Sequence, residues 1–170
     1  MKLLSLLGFT LTLFLTGCAQ TSTKPTIESK YDPYSEVKMV SVGSFEIAPG
    51  LKWDISKGTS EGETSYLVYF QRNGAYDSPG SEWKFLKHHH LYFLADGKSL
   101  DAGPGTHEGD VNSTSSGYPY ITESMSYVVL KGFIKRLGEA SNLSGRVGNQ
   151  EFDVTDEQLE ILKTFIRKHL

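Results

Sequence analysis

The chain has 170 residues, of which 17 are Lys or Arg and 20 are Asp or Glu, so its formal net charge is −3. A weakly acidic chain has no general electrostatic attraction for nucleic acid or for an anionic bilayer surface, and we expect no nucleic-acid partner. Its single cysteine, Cys18, excludes an intramolecular disulfide, but a chain of this length can bury a core without one.

The first seventeen residues have the pattern of a secretory signal. Lys2 precedes an almost uniformly apolar segment from Leu3 to Leu15, and small residues follow that segment. The apolar run is shorter than the ~20 residues that a membrane-spanning helix needs. We therefore predict a signal peptide over residues 1–17.

The sequence Leu15-Thr16-Gly17-Cys18 resembles the lipobox of bacterial lipoprotein precursors. In that family the cysteine thiol receives a diacylglyceryl group, the signal is cut immediately before the cysteine, and the new N-terminus is acylated. The resemblance implies that Cys18 is the first mature residue and a membrane anchor, because two or three acyl chains give stable attachment. Ala19 stands where an aspartate would favour the inner membrane, which implies the outer membrane and a domain that faces the periplasm.

Residues 18–33 have the composition of a flexible tether. The segment from Gln20 to Thr26 is polar and has no apolar periodicity, so it cannot bury enough surface to offset its ordering entropy. A tether of this length would hold the domain roughly 20 Å from the bilayer. We predict one globular domain over residues 34–170.

The first half of this domain has the pattern of a β-rich fold. Residues 37–47 have strand composition, with Gly43 as a predicted bulge. Residues 65–72 form a strong strand pattern, and Asn73-Gly74 would end it as a type I′ turn.

The next segment continues the strand pattern around one long loop. A strand ends at Ala95 before the Asp96-Gly97 turn, and residues 98–101 form a short return strand. Residues 102–119 are rich in Gly, Ser and Thr and are predicted to be a loop, where a functional site is often found. Residues 121–129 alternate between apolar and polar, as a half-buried strand does.

Two amphipathic helices are predicted near the C-terminus. Leu130, Phe133, Ile134 and Leu137 have the spacing of a buried helical stripe, and Gly138 would be the C-cap. The last helix opens with the capping-box pattern of Thr155 to Gln158. Together these patterns predict an α+β fold, in which an antiparallel sheet of six to eight strands carries two helices on one face.

His88, His89 and His90 form the most unusual local cluster. On a strand, His88 and His90 would share one face about 7 Å apart, whereas His89 would point to the other face. Two imidazoles at this spacing can bind Zn²⁺ or Cu²⁺ only with a further ligand, which His107 would supply if the 102–119 loop folded back. The alternative is a polar strand edge that holds no cofactor.

The aromatic residues Trp53, Trp83, Tyr118 and Tyr120 are candidates for a partner-binding surface, because Trp and Tyr concentrate at binding hot spots. Their alternative role is to fill the core or anchor loops.

The sequence contains no hydrolase signature and no phosphate-binding loop. We therefore expect a lipid-anchored, periplasm-facing accessory module that has no catalytic residues and binds another envelope protein. The alternative function is that of a metal-binding envelope protein that uses His88, His90 and His107. A third alternative is an enzyme of a type that the sequence motifs do not reveal.

Overall fold

A computed structural model of the protein describes residues 26–75 and 83–170. The predicted signal peptide, Cys18 and the tether up to residue 25 lie outside the described residues. The described chain folds into ten strands and two helices, which confirms the predicted α+β class. Neither helix of the described ranges is long and apolar enough to cross a membrane.

The elements follow one another along the chain in this order: β1 (Ile27–Asp32), β2 (Val37–Ala48), β3 (Leu51–Ser60), β4 (Glu63–Ala75), β5 (His90–Ala95), β6 (Lys98–Pro104), β7 (Thr106–Ser113), β8 (Pro119–Val129), α1 (Lys131–Glu139), β9 (Leu143–Val147), β10 (Gln150–Val154) and α2 (Asp156–His169). The strands form two antiparallel sheets where the sequence predicted one. The six-stranded sheet has the order β1-β2-β3-β4-β8-β7, and the four-stranded sheet has the order β10-β9-β5-β6.

Strand β1 brings part of the predicted tether into the fold. Its pairing with β2 runs from Ile27 opposite Val42 to Asp32 opposite Val37. Except for the half-buried Ile27, the side chains of β1 are exposed, so backbone pairing holds this strand in place. The folded domain therefore begins upstream of the predicted boundary at Tyr34, because a strand that buries few side chains leaves no apolar pattern in the sequence.

The Asn73-Gly74 pair does not form the predicted turn. It lies within β4, where Asn73 is opposite Thr122 and Gly74 is opposite Ile121 of β8. The long-range pairing with β8 overrides the local turn preference of this dipeptide. In contrast, the predicted Asp96-Gly97 turn is confirmed, and its φ angles of 50° and 76° are those that a type I′ turn requires.

The predicted loop over residues 102–119 is mostly strand, since it contains the end of β6 and all of β7. Two of its glycines allow close packing. A Cβ atom at Gly105 would lie 2.7 Å from the carbonyl oxygen of Ser126, and one at Gly109 would overlap the indole ring of Trp83. Glycines that suggest flexibility in the sequence therefore permit close contacts in this part of the fold.

The core lies between the two sheets and the helices. The indole of Trp53 is fully buried, and its centroid lies 5.3 to 6.3 Å from the rings of phenylalanines in both sheets: Phe45, Phe70, Phe93 and Phe152. Helix α1 joins this core through Phe133, whose ring lies 6.1 Å from that of Phe93. The inner faces of both sheets are therefore covered by one another and by the helices.

The helices largely follow the prediction, with two corrections in α1. Phe133, Ile134 and Leu137 are buried, but Leu130 is exposed because it precedes the helix as its N-cap residue. Gly138 is not the C-cap, since it lies within α1 where a Cβ atom would contact Ile166 of α2 at 2.5 Å. The predicted capping box of α2 is confirmed.

Candidate binding site on the four-stranded sheet

Strand β5 carries large side chains on both of its faces. Leu91, Phe93 and Ala95 point into the core and are buried. The alternate residues His90, Tyr92 and Leu94 point to the outer face of the four-stranded sheet, where Leu94 is 48% exposed. An aromatic ring and a leucine that face solvent side by side mark this face as a candidate binding surface.

The outer face of the sheet contains two depressions that share Tyr92, Arg146 and Glu151. The first, of about 690 Å³, extends along Leu94 toward Asp153. The second, of about 490 Å³, extends toward His88 and His90. The two together are termed the outer groove, and Tyr92 and Arg146 stand where they meet.

The strand register places Tyr92 in a row of polar and charged side chains. Arg146 of β9 is opposite Tyr92, with Glu151 of β10 and Asp101 of β6 on either side. The guanidinium carbon of Arg146 lies 5.4 Å from the centre of the Tyr92 ring, a cation–π contact worth ~0.5–1 kcal/mol at an exposed site. Cross-strand contacts of this kind restrict the side chains before any partner arrives.

His90 completes the arrangement around Tyr92. Its imidazole stacks on the Tyr92 ring at 5.6 Å with an interplanar angle of 15°, and its Nδ1 atom lies 3.1 Å from the Tyr92 hydroxyl. The same nitrogen is 3.8 Å from a carboxylate oxygen of Asp101. The exposed imidazole that was predicted to bind a metal therefore stacks on the ring of Tyr92 and lies near the carboxylate of Asp101.

The charges of the outer groove are of both signs. Lys87 and Arg146 contribute the permanent positive charges, and Glu151 and Asp153 contribute negative charges. A groove with balanced charges favours a polar surface of mixed charge over a polyanion, which would need an excess of cations.

No family model, curated protein or solved structure matches this chain. The outer groove is therefore a candidate site on the basis of its geometry alone.

The structure does not bring the predicted metal ligands His88, His90 and His107 together. The ring of His107 stacks on that of His89 at 5.6 Å, whereas His88 and His90 lie along the outer groove. Within residues 26–75 and 83–170, no three His, Cys, Asp or Glu side chains are grouped so that they could hold a metal ion. The predicted ligand set fails because β7 pairs with β8, which places His107 against His89 and beside Glu123 instead of beside His88 and His90.

The four predicted surface aromatics do not share a surface. Trp53 is in the core, and Trp83 packs edge-on against the ring of His107 at 6.1 Å. Tyr118 is exposed in the turn between β7 and β8, and Tyr120 is half-buried on β8. Trp53 is therefore excluded from any partner-binding surface, and Tyr118 is the most exposed of the four.

A buried charge cluster around Glu123 was not predicted from the sequence. Glu123 is fully buried, and its carboxylate accepts hydrogen bonds from the backbone N–H groups of Lys84 and Phe85 at 2.9 and 3.0 Å. Arg72 donates to the same carboxylate at 3.4 Å. The Nε2 atom of His107 also lies 3.4 Å from it, within ion-pair range but without a hydrogen bond. Through these hydrogen bonds Glu123 links residues 84 and 85, which precede β5, to strand β8.

Asp54 on β3 is a half-buried carboxyl group with a raised pKa. Burial, and to a smaller extent the charge of Glu28, raises the pKa of Asp54 from 3.8 to about 6. The folded state therefore binds this proton more tightly than the unfolded state does. Protonation of Asp54 stabilises the fold fully below pH ~4, and this stabilisation is lost as the pH rises through about 6.

We accordingly expect Asp54→Asn to stabilise the domain at pH 7.5 by ~1 kcal/mol, a value reduced for the carboxyl's contact with solvent. At pH 4 the substitution should change stability little, because the native carboxyl is then protonated. Urea unfolding at both pH values measures the difference, and Asp153→Asn on the outer face controls for the loss of a negative charge. Equal stabilisation at the two pH values would contradict this assignment.

Proposed function

We propose that the protein is a lipid-anchored envelope lipoprotein whose domain is a non-catalytic accessory module and binds another envelope protein through the outer groove. The lipobox pattern from Leu15 to Cys18 supports the membrane anchor, and Ala19 supports the outer membrane, with the domain facing the periplasm. The anchor and the groove are independent parts of the proposal, so each has its own test.

The contacts that hold Tyr92 in place on the outer face support the binding of a protein partner. Tyr92 is held by stacking on His90 and by the guanidinium of Arg146, and the exposed Leu94 adds an apolar side chain beside it. Tyr and Arg are enriched among the residues that dominate binding energies, especially where little side-chain entropy is lost on binding. Glu151 and Asp153 provide the polar rim that such an interface has.

The groove also suggests the chemistry of the partner. An apolar side chain of the partner would cover Leu94, a carboxylate would reach Arg146, and a cation would lie near Glu151 and Asp153. This requirement fits a folded protein surface with charges of both signs.

A photocrosslinking amino acid in place of Leu94, in the full-length lipidated protein in its own envelope, tests the groove. We expect one discrete protein adduct, which should be lost when Arg146→Glu is added. The matched control places the same crosslinker at Val128, which is 77% exposed but lies on β8 of the six-stranded sheet. The same adduct from both positions, or an adduct that survives Arg146→Glu, would contradict the assignment of the groove.

A further inference from the structure

The hairpin that joins β1 to β2 carries an unusual concentration of exposed apolar side chains. Tyr34 at its turn is 97% exposed, and Tyr31 and Met39 on the adjacent strands are also exposed. The three are termed the hairpin patch, and they border a depression of about 520 Å³. Tyr34 in particular contacts little of its own domain and is available to another surface.

The local structure of the turn presents Tyr34 to solvent. The carboxylate of Asp32 accepts a hydrogen bond from the Tyr34 N–H at 3.0 Å and another from the Ser35 hydroxyl at 2.6 Å. Glu36 has a positive φ of 55°, which turns the chain back into β2. The exposure of Tyr34 is thus a property of an ordered turn.

The composition of the hairpin patch suits a bilayer interface. Lys30 is opposite Met39 on one face of the hairpin, and Lys38 is opposite Tyr31 on the other face, so each apolar side chain has a lysine as its direct neighbour. Tyrosines concentrate at the headgroup level of bilayers, and neighbouring lysines extend their amines toward the headgroups.

The position of the patch in the chain selects the bilayer over other surfaces. Cys18 precedes Ile27, the first residue of β1, by nine positions, and so short a segment spans at most ~30 Å. Strand β1 is six residues long and adds ~20 Å to the turn. A lipid on Cys18 would therefore keep the hairpin within reach of the membrane at a high effective concentration.

We propose that the tip of this hairpin, led by Tyr34, contacts the surface of the lipid bilayer as a second, reversible attachment that fixes the orientation of the domain. This inference depends on the lipid anchor of the proposed function. It places Tyr34 at the headgroup level, with Tyr31 and Met39 behind it on the two faces of the hairpin, and it leaves the outer groove for the protein partner.

The test uses the full-length lipidated protein in phosphatidylcholine vesicles with and without brominated acyl chains, which quench nearby tryptophans. In Tyr34→Trp we expect emission at shorter wavelength and a loss of intensity in the brominated vesicles. The matched control is Tyr118→Trp, at a tyrosine that is 67% exposed in the turn between β7 and β8. The unsubstituted protein gives the background from Trp53 and Trp83.

The outcomes separate this inference from the anchor. A protein that floats with the vesicles and shows selective quenching at position 34 supports the inference. A protein that floats but shows equal quenching in the two variants overturns the inference and leaves the anchor intact. A protein that does not float refutes both, and a photocrosslink from position 34 to an envelope protein in place of lipid would reassign the patch to protein binding.

Discussion

Replacing Glu123 with alanine is expected to lower the free energy of unfolding by ~3–5 kcal/mol, as the loss of one member of a buried ionic cluster does. The substitution removes the acceptor that the N–H groups of Lys84 and Phe85 share. Each buried donor that is left without a partner costs ~1–3 kcal/mol. It also removes the carboxylate that faces Arg72 and His107.

Urea unfolding of the purified protein measures this loss as a shift of the midpoint. Glu139→Ala is the matched control, since Glu139 is an exposed carboxylate that pairs with Lys135 one helical turn away. Pairs of this kind contribute only ~0.2–0.5 kcal/mol. Similar midpoints for the two variants would show that the Glu123 cluster does not fasten the segment before β5.

The same strand, β8, shows what the sequence pattern could predict and what it could not. The predicted apolar face is confirmed, because Ile121, Met125, Tyr127 and Val129 are buried. Alternation determines which side chains share a face, so Glu123 also had to lie on the buried side. Its position among core residues was the available signal, but its partners come from β4, β7 and the segment before β5, which only the tertiary structure brings together.

Strand pairing explains why one sheet was predicted and two are formed. The pairing of β5 with both β6 and β9 separates these strands, with β10, from the strands that precede them in the chain. Local periodicity specifies that a segment is a strand, but it does not specify the partner of that strand. The 102–119 segment was misassigned for a related reason, since Gly105 and Gly109 are adapted to close contacts with distant residues.

Only part of the outer groove could be predicted from the sequence. His90 was singled out, but for a metal, whereas its ring stacks on Tyr92. Arg146 could not be connected to Tyr92 without knowledge that β9 pairs with β5. The signal in the sequence was that β5 alternates two sets of large side chains, so that it has a second face that another surface can cover. The buried set includes Leu91 and Phe93, and the outer set is His90, Tyr92 and Leu94.

Replacing Cys18 with serine is expected to abolish the attachment of lipid to the protein. The resemblance to the lipoprotein lipobox implies that the cysteine sulfur forms a thioether to diacylglycerol, and the hydroxyl of serine is a much weaker nucleophile than a thiol. Each buried CH₂ of an acyl chain contributes ~0.8 kcal/mol to membrane attachment, so loss of all the chains removes the anchor completely. Maturation should also stop, because cleavage before residue 18 follows lipidation in that family.

The control for this variant is Ser22→Ala, which changes a nearby hydroxyl of the predicted tether and keeps the cysteine. It should be lipidated, cleaved and retained in the membrane fraction like the unsubstituted protein. Incorporation of labelled fatty acid into Cys18→Ser would show that another residue carries the lipid.

The intact mass of the protein purified from its own membranes tests the central proposal most directly. The proposal predicts a chain that begins at Cys18 and carries the added mass of a diacylglyceryl group and an N-terminal acyl chain, with both additions absent from Cys18→Ser. A chain with an unmodified Cys18, or one cleaved at a different residue, would contradict the lipid anchor.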